Sequence, residues 1–408
     1  MRSEWKLASY LLQNGTQASG LRGILPPDGD RDGDLNERQV AMILDLVDRG
    51  LDVNSYEDEE HGRISTLSFG VSIEHYAMVC FLLEKGARVS CFRPRSRWSP
   101  LHLAMQGQSQ IFSRETTKAL LSLGADVTAH EFIYWKMFHK CSESSTIEKF
   151  GNWLMARSPD RRPSDYRYED SLCFRGTPVQ AACFGGCTRA FRVLEQAGAD
   201  VHASAADGSG LTALQAAIHD GPKFRDNAAN LPGTNAQDEI IENLIQVGAD
   251  INAPAAADAG FTALQMAILQ NQKAITKTLL KLGADIHCRS SVKVGCTALQ
   301  AAAIAGNVDM FFTLLEANAD VNSASGSEYG MTALQAACRV DNVEMAEALL
   351  DRGADVNAFP CRVRGATALQ YAAMNGNLDL VVRLLEAGAN INGPAATVDG
   401  RTAVEAAA

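Results

Sequence analysis

The sequence has no long hydrophobic run. No apolar stretch approaches the roughly 20 residues that a membrane-spanning helix needs, so we expect no membrane association. The segment from Met1 to Leu12 contains Glu4 and no long apolar core, which favours a first helix over a signal peptide. Together these absences predict a cytoplasmic protein, with the nucleus as a further compartment.

Recognisable catalytic and metal-binding motifs are also missing. The ten cysteines do not have the spacing of a small secreted disulfide framework, which favours a reducing compartment. The nearest approach to a metal pair is Cys183-Phe-Gly-Gly-Cys187, and no second pair follows it. No phosphate-binding Gly loop, nucleophile elbow or paired-carboxylate motif has a supporting context. The sequence therefore predicts no metal and no cofactor.

Basic residues are scarce in the second half of the chain. Residues 1–175 hold 22 Lys and Arg against 24 Asp and Glu, whereas residues 176–408 hold 15 against 24. A net charge of −9 in the second part repels phosphate backbones, so nucleic acid is not expected as a partner. A basic peptide or protein patch would be attracted instead.

What the sequence does contain is an internal repeat of 35 residues. A Thr-Ala-Leu-Gln pattern, or a close variant of it, begins each unit, and several units carry Gly-Ala-Asp 21 residues after the Thr. The starting residues are Thr177, Thr212, Thr262, Thr297, Thr332, Thr367 and Thr402. Ser65 and Ser99 begin similar units nearer the N-terminus.

Each repeat is predicted to fold as a pair of helices. The Thr is suited to cap a first helix, and the Ala run after it allows close helix packing. In the second helix, Val343 to Asp351, apolar residues recur at helical spacing and form one stripe. Gly353 is predicted to end that helix in a left-handed turn, and Asn318 to do the same in its own repeat.

These motifs resemble the ankyrin repeat, which is marked by Thr-Pro-Leu-His and Gly-Ala-Asp-Val-Asn. The resemblance implies an all-α repeat solenoid with β-hairpin fingers, here an array of about ten repeats. Gln replaces the family's His at the fourth position in most units, and His102 keeps it. His202 and His287 replace the finger Asn. The Thr-Ala-Leu-Gln-Ala-Ala variant looks like arrays of filamentous-fungal ankyrin proteins.

The array is predicted to be irregular near its start and at its end. Residues 1–63 are predicted to form an irregular first repeat, with a helix from Glu37 to Asp48. Residues 64–130 form regular repeats, although the unit from Ser99 is predicted to have a longer helix junction. Residues 131–175 form a degenerate repeat with helices at Glu131–Lys140 and Thr146–Arg157. Residues 176–408 form regular repeats, with an insertion at 221–237 and a truncated last repeat.

The resemblance places binding residues at two positions of each repeat: immediately before the Thr, and just after the Ala run. Many of these side chains are apolar, so an exposed apolar concave groove is expected to bind a protein or peptide. The predicted binding residues are Trp98, Phe184, Leu211, His219, Phe261, Leu269, Ile304, Met331, Arg339, Val340 and Met374. The alternative is that these side chains simply pack against neighbouring fingers.

Three functions are compatible with this pattern. The leading prediction is a protein-interaction scaffold or adaptor. A second is a cofactor-independent cyclase or isomerase, or a small-molecule binder, that uses His219 and Asp220 beside the insertion. A third is the recognition arm of a larger multidomain protein, because the last repeat is unfinished and lacks a polar capping face. The sequence leaves the oligomeric state open.

Overall fold

The structure is a computed structural model, and it describes most of the repeat region. The described residues are 33–50, 52–54, 65–89, 99–105, 109–129, 131–136, 171–205, 211–219, 236–254, 261–288, 295–324, 326, 330–363, 365–397 and 401–407. The predicted first helix, from about Trp5 to Leu12, lies outside them.

The described elements are almost all helices. In chain order they are α1 Gly33–Asp48, α2 Thr66–Ser72, α3 Tyr76–Glu84, α4 Pro100–Ala104, α5 Gln110–Ser122, β1 Glu131–Lys136, β2 Ser171–Gly176, α6 Pro178–Gly185, α7 Thr188–Gln196, α8 Ala213–Ile218, α9 Ala236–Gln246, α10 Ala263–Leu269, α11 Lys273–Lys281, α12 Ala298–Ala305, α13 Val308–Glu316, α14 Ala333–Arg339, α15 Val343–Asp351, α16 Ala368–Asn375, α17 Leu378–Glu386 and α18 Ala403–Ala407. This helix-rich pattern fits a repeat solenoid. We call the first helix of each pair the inner helix and the second the outer helix.

Every described inner helix that follows a Thr-x-x-Gln pattern starts with the same cap. In α12, the Thr297 N–H donates to Gln300 Oε1 (2.8 Å), and the Gln300 N–H donates to Thr297 Oγ1 (3.4 Å). This reciprocal pair is a capping box, which satisfies donors that a helix start would otherwise leave unpaired. The predicted Thr cap is therefore confirmed.

The same Gln side chain also holds the finger that follows it. Gln300 Nε2 donates to the Ser323 carbonyl oxygen at 2.7 Å, and Gln265 donates in the same way to the Cys288 carbonyl oxygen. His102 has an equivalent role, with Nδ1 2.8 Å from Ser99 Oγ and Nε2 3.1 Å from the Gly176 carbonyl oxygen. Gln at this position thus bonds to a backbone carbonyl oxygen as His102 does, without a titratable ring.

The outer helices are amphipathic, as predicted. Helix α15 has the predicted bounds, and it buries Met345, Ala346 and Leu349. The left-handed helix ends are also confirmed, because Gly353 has φ 76° and Asn318 has φ 58°.

The chain divides into two compact units. Unit 1 comprises Met1–Ile133, Gly176–Val201 and Gly221–Ile240, and unit 2 comprises Tyr134–Arg175, His202–Asp220 and Ile241–Ala408. Within unit 1 the inner helices α2, α4 and α6 stack in order, and so do the outer helices α1, α3, α5 and α7. Within unit 2 the inner helices α8, α10, α12, α14, α16 and α18 form one continuous stack.

Two sequence predictions, for the segment 131–136 and for the unit from Ser99, are wrong. The segment 131–136, expected to be helical, is strand β1, which pairs with β2. Its sequence, Glu-Phe-Ile-Tyr-Trp-Lys, is rich in β-branched and aromatic residues, which favour strands. In the unit from Ser99, the extra residues lengthen the outer helix rather than the helix junction, since α5 has 13 residues and α7 has 9. The predicted helix at Thr146–Arg157 lies outside the described residues.

Other predicted boundaries are only partly described. The insertion at 221–237 lies outside the described residues except for its last two, which begin α9. The described finger residues of unit 2, such as 319–324, form turns, and β-hairpin fingers are not confirmed. The number of ten repeats is not confirmed either.

Finger Asn side chains connect successive repeats. Asn322 Nδ2 donates to the Gly353 carbonyl oxygen (2.9 Å), while Asn322 Oδ1 accepts from the Asp355 N–H (2.8 Å). The same pair of bonds is made by Asn54, Asn252 and Asn357. His287 occupies this position in the repeat of α10 and α11, and within the described residues it makes neither bond.

We expect His287→Asn to raise the free energy of unfolding by about 1 kcal/mol, since two exposed hydrogen bonds are gained between repeats. Urea unfolding of the full chain, followed by circular dichroism, measures the change. The reverse substitution, Asn322→His, is the matched control and should lower the free energy of unfolding by about the same amount. Equal midpoints for His287→Asn and the wild type would contradict the assigned role of the Asn.

Candidate inner-helix interface

The candidate site lies at the inner helices and the residues just before them. The positions predicted from the sequence are the residue before each cap Thr and the two residues that follow the Ala run, seven and eight positions after the Thr. The predicted residues of unit 2 are Leu211, Phe261, Met331, His219, Leu269, Ile304, Arg339, Val340 and Met374. Phe184 is the equivalent residue in unit 1.

Five of the predicted binding residues are buried, so the expected exposed apolar surface is wrong at their positions. Phe184, Leu211, Leu269, Ile304 and Met331 are all at most 8% exposed. Inner helices are apolar on almost every face, and such helices are buried when they stack. For these residues the structure favours the alternative that they pack against neighbouring elements.

The remaining predicted residues differ in exposure. His219, Phe261, Arg339 and Val340 are half-buried, and Met374 is 52% exposed. Trp98 and Asp220 lie outside the described residues. The accessible part of the predicted site in unit 2 is therefore smaller and less apolar than the sequence indicated.

Arg339, at the end of α14, interacts electrostatically with Tyr371 in the neighbouring inner helix α16. The positive charge of Arg339 lowers the pKa of Tyr371, but burial outweighs it and raises that pKa to about 12. Burial also lowers the pKa of Arg339.

The last residue of α16 and the turn after it are hydrogen-bonded to the end of α14. Asn375 Nδ2 donates to the carbonyl oxygens of Cys338 (2.8 Å) and Arg339 (3.3 Å). Next to this turn, Asn377 Nδ2 donates to Asp341 Oδ1 at 2.7 Å. These bonds hold the two neighbouring repeats together at the base of the Arg339 side chain.

Sequence reasoning missed two residues of this region. Tyr371 is 8% exposed, and Phe359, in the finger before α16, is 80% exposed. Tyr371 could have been noticed in the sequence, because it departs from the repeat pattern. The fourth residue after the cap Thr is Ala or Met in the other Thr-started repeats with a described inner helix. Phe359 had no comparable signal, since finger sequences vary between repeats.

Comparison with known families decides the identity of the repeats. Three family models match the chain: ankyrin repeat at residues 259–291, ankyrin repeats (3 copies) at 288–360, and ankyrin repeats (many copies) at 341–385. Residues 259–385 are therefore ankyrin repeats. No curated protein matches the chain. The matched residues run from α10 to α17, all in unit 2, and include Arg339 and Tyr371.

Two buried cysteines of unit 1, Cys183 and Cys187, occupy packing positions. Burial raises the pKa of the Cys183 and Cys187 thiols well above the usual range, and the Cys187 thiol donates to the Met105 carbonyl oxygen at 3.3 Å. Within the described residues no three His, Cys, Asp or Glu side chains are grouped as metal ligands. No helix in that part of the chain has the length and apolar character to cross a membrane.

Proposed function

We propose that this ankyrin-repeat protein is an interaction scaffold that binds a protein partner on the inner-helix face of unit 2. Ankyrin repeats generally mediate protein–protein interaction. The observation that carries the proposal is that Phe359 and Met374, 80% and 52% exposed, lie within the matched repeats. Large exposed apolar side chains commonly mark interaction sites.

The acidic charge of residues 176–408 supports a partner with a basic surface. Opposite charges steer association and suppress wrong partners, whereas a phosphate backbone would be repelled. Half-buried His219 ends α8, and Asp220 lies outside the described residues, so no observation favours the enzyme alternative over the scaffold.

Affinity capture from the source cell tests the proposal. We expect Phe359→Asp/Met374→Asp to lose one or more specific proteins that the wild type retains, because both positions are exposed and tolerate a charge in the folded protein. The matched control is Leu378→Asp/Val382→Asp on the outer helix α17, where the side chains are also exposed and the added charge is the same.

The captured protein is then purified, and its affinity is measured by calorimetry. The inner-face double variant should bind at least about tenfold more weakly, since buried apolar anchors dominate interface energies. If the inner-face and outer-helix variants lose the same affinity for the captured protein, or if neither loses affinity, the partner does not bind on the proposed face.

A further inference from the structure

Two Asn-Gly pairs in the described part of unit 2, at 375–376 and 392–393, differ in how their side chains are held. An Asn followed by Gly is chemically labile, because the Gly nitrogen can attack the side-chain amide carbon and no Cβ hinders the approach. A further such pair, at 14–15, lies outside the described residues. The two described pairs are the same dipeptide, so a difference in their reactivity has to come from the fold.

Both reacting groups of the pair at 375–376 are held in place. Asn375 is the last residue of α16, and its Nδ2 donates to the carbonyl oxygens of Cys338 (2.8 Å) and Arg339 (3.3 Å). Gly376 has φ 70°, and its N–H donates to the Ala373 carbonyl oxygen (3.1 Å). A reaction here would have to disrupt the end of α16 and its bonds to α14.

The side chain of Asn392 is not held in this way. It occupies the finger position at which Asn357 bonds to the next repeat, through Nδ2 to the Gly388 carbonyl oxygen (2.9 Å) and through Oδ1 to the Asn390 N–H (2.7 Å). The residue Asn392 is exposed, and its side-chain amide makes no hydrogen bond with any residue that the structure describes. Its amide carbon is therefore free to turn toward the following nitrogen.

The backbone at Asn392 is also less constrained. Asn392 lies in a turn, and Gly393 belongs to neither a helix nor a strand. The attacking nitrogen is restrained by one bond of this turn, from the Gly393 N–H to the Asn390 carbonyl oxygen (2.9 Å). Rotation about the Asn392 Cα–C bond breaks that hydrogen bond without unwinding a helix, so the fold adds less to the barrier here than at Asn375.

We infer that Asn392 is a site of spontaneous deamidation in the folded protein, with water as the co-reactant. The deprotonated Gly393 nitrogen attacks Asn392 Cγ, the new C–N bond closes a succinimide ring, and the side-chain nitrogen leaves as ammonia. Water then opens the ring at either of its two carbonyl carbons, which leaves Asp or isoaspartate at position 392. The sum is an amide and water giving a carboxylic acid and ammonia, with no oxidation or reduction. The inference does not depend on the proposed function.

The modification alters the finger that follows α17. Gln370 Nε2 donates to the carbonyl oxygens of Gly393 (3.1 Å) and Pro394 (3.3 Å), which joins this finger to the start of α16. Asp at position 392 adds one negative charge to a chain of net charge −11. Isoaspartate also inserts one carbon into the backbone just before Gly393, so it should displace the carbonyl groups that Gln370 holds and loosen the finger.

Peptide mapping by mass spectrometry tests the inference on the full chain, incubated at mildly alkaline pH in water labelled with heavy oxygen. We expect the label to enter position 392 at least about tenfold faster than position 375, because the bonds that hold Asn375 must break before it reacts. In the chain unfolded by urea, both positions should react at similar rates. The rate at 392 should rise in proportion to hydroxide, since the attacking nitrogen must be deprotonated.

Ala358→Gly is the matched control, because it places a Gly after Asn357, whose side chain is bonded to the next repeat. The turn is the same, since the Ala358 N–H donates to the Asp355 carbonyl oxygen (3.4 Å) as Gly393 does to its own turn. Asn357 in this variant should take up label at least about tenfold more slowly than Asn392 in the same molecules. Circular dichroism and the urea midpoint establish that the variant is folded.

Each contrary result has a definite meaning. If Asn392 stays unlabelled in the folded chain but is labelled in urea, the fold protects this site and the inference is wrong. If Asn375, or Asn357 in the Ala358→Gly variant, reacts as fast as Asn392 in the folded protein, the freedom of the Asn392 side chain is not the cause. None of these results bears on partner capture, so the proposed function is tested separately.

Discussion

Replacing Gln300 with Met is expected to lower the free energy of unfolding by about 3 kcal/mol, although the side-chain volume hardly changes. The substitution removes the acceptor of the Thr297 N–H and the donor to the Ser323 carbonyl oxygen. Gln300, Thr297 and Ser323 are all buried, and a buried polar group left without a partner costs roughly 1–3 kcal/mol. Urea unfolding of the full chain, followed by far-ultraviolet circular dichroism, measures the loss.

Gln300→His is the matched control for this loss. At His102 the imidazole makes the equivalent contacts, to the cap hydroxyl of Ser99 and to the Gly176 carbonyl oxygen. The His variant should therefore recover most of the stability that the Met variant loses. A Met variant as stable as the wild type would mean that these hydrogen bonds contribute little, and a His variant as unstable as Met would contradict the equivalence of the two residues.

The elements that the sequence predicted well are those set by local interactions. The capping box needs only Thr and Gln three residues apart, and all its atoms lie within one helical turn. The bounds of α15 follow from its own apolar spacing, its Asn342 cap and Gly353. Since the Thr-x-x-Gln signal recurs in the regular repeats, the register of unit 2 could be predicted from sequence alone.

What the sequence could not predict depends on neighbouring elements. Leu269 and Ile304 occupy the same repeat position as Met374, yet the first two are buried and Met374 is exposed. The sequence pattern is identical for all three, because it reports the position within a repeat and not what covers it. The segment 131–136 lacked the repeat signals, and there residue composition favoured the strand that a repeat-based prediction overlooked.

The interaction between Arg339 and Tyr371 could not be predicted from the sequence for a different reason. Repeat alignment places these residues 32 positions apart and at different points of their repeats, so their proximity is visible only when α14 and α16 are stacked. A search for departures from the repeat would have marked each residue, whereas only the packing of adjacent inner helices brings them together.

The burial of Met331 leads to the largest expected contrast between two substitutions. Both Met331 and Met374 were predicted to line the same exposed groove, but Met331 is 4% exposed and Met374 is 52% exposed. Met331→Asp should lower the free energy of unfolding by about 4 kcal/mol or more, because a carboxylate would be buried without a partner. Met374→Asp should change it by less than about 0.5 kcal/mol, as is usual for surface positions.

Chemical unfolding of the two variants side by side measures this contrast, and Met331→Leu serves as a volume-conserving control that should cost less than about 1.5 kcal/mol. The comparison also determines how binding data are interpreted, since a partner lost with Met331→Asp would be lost through unfolding rather than through a missing contact. Equal, small effects for both Asp variants would place Met331 on the surface and restore the larger groove. A large loss of stability in Met331→Asp alone would mean that only the exposed residues of the inner-helix face are available for binding.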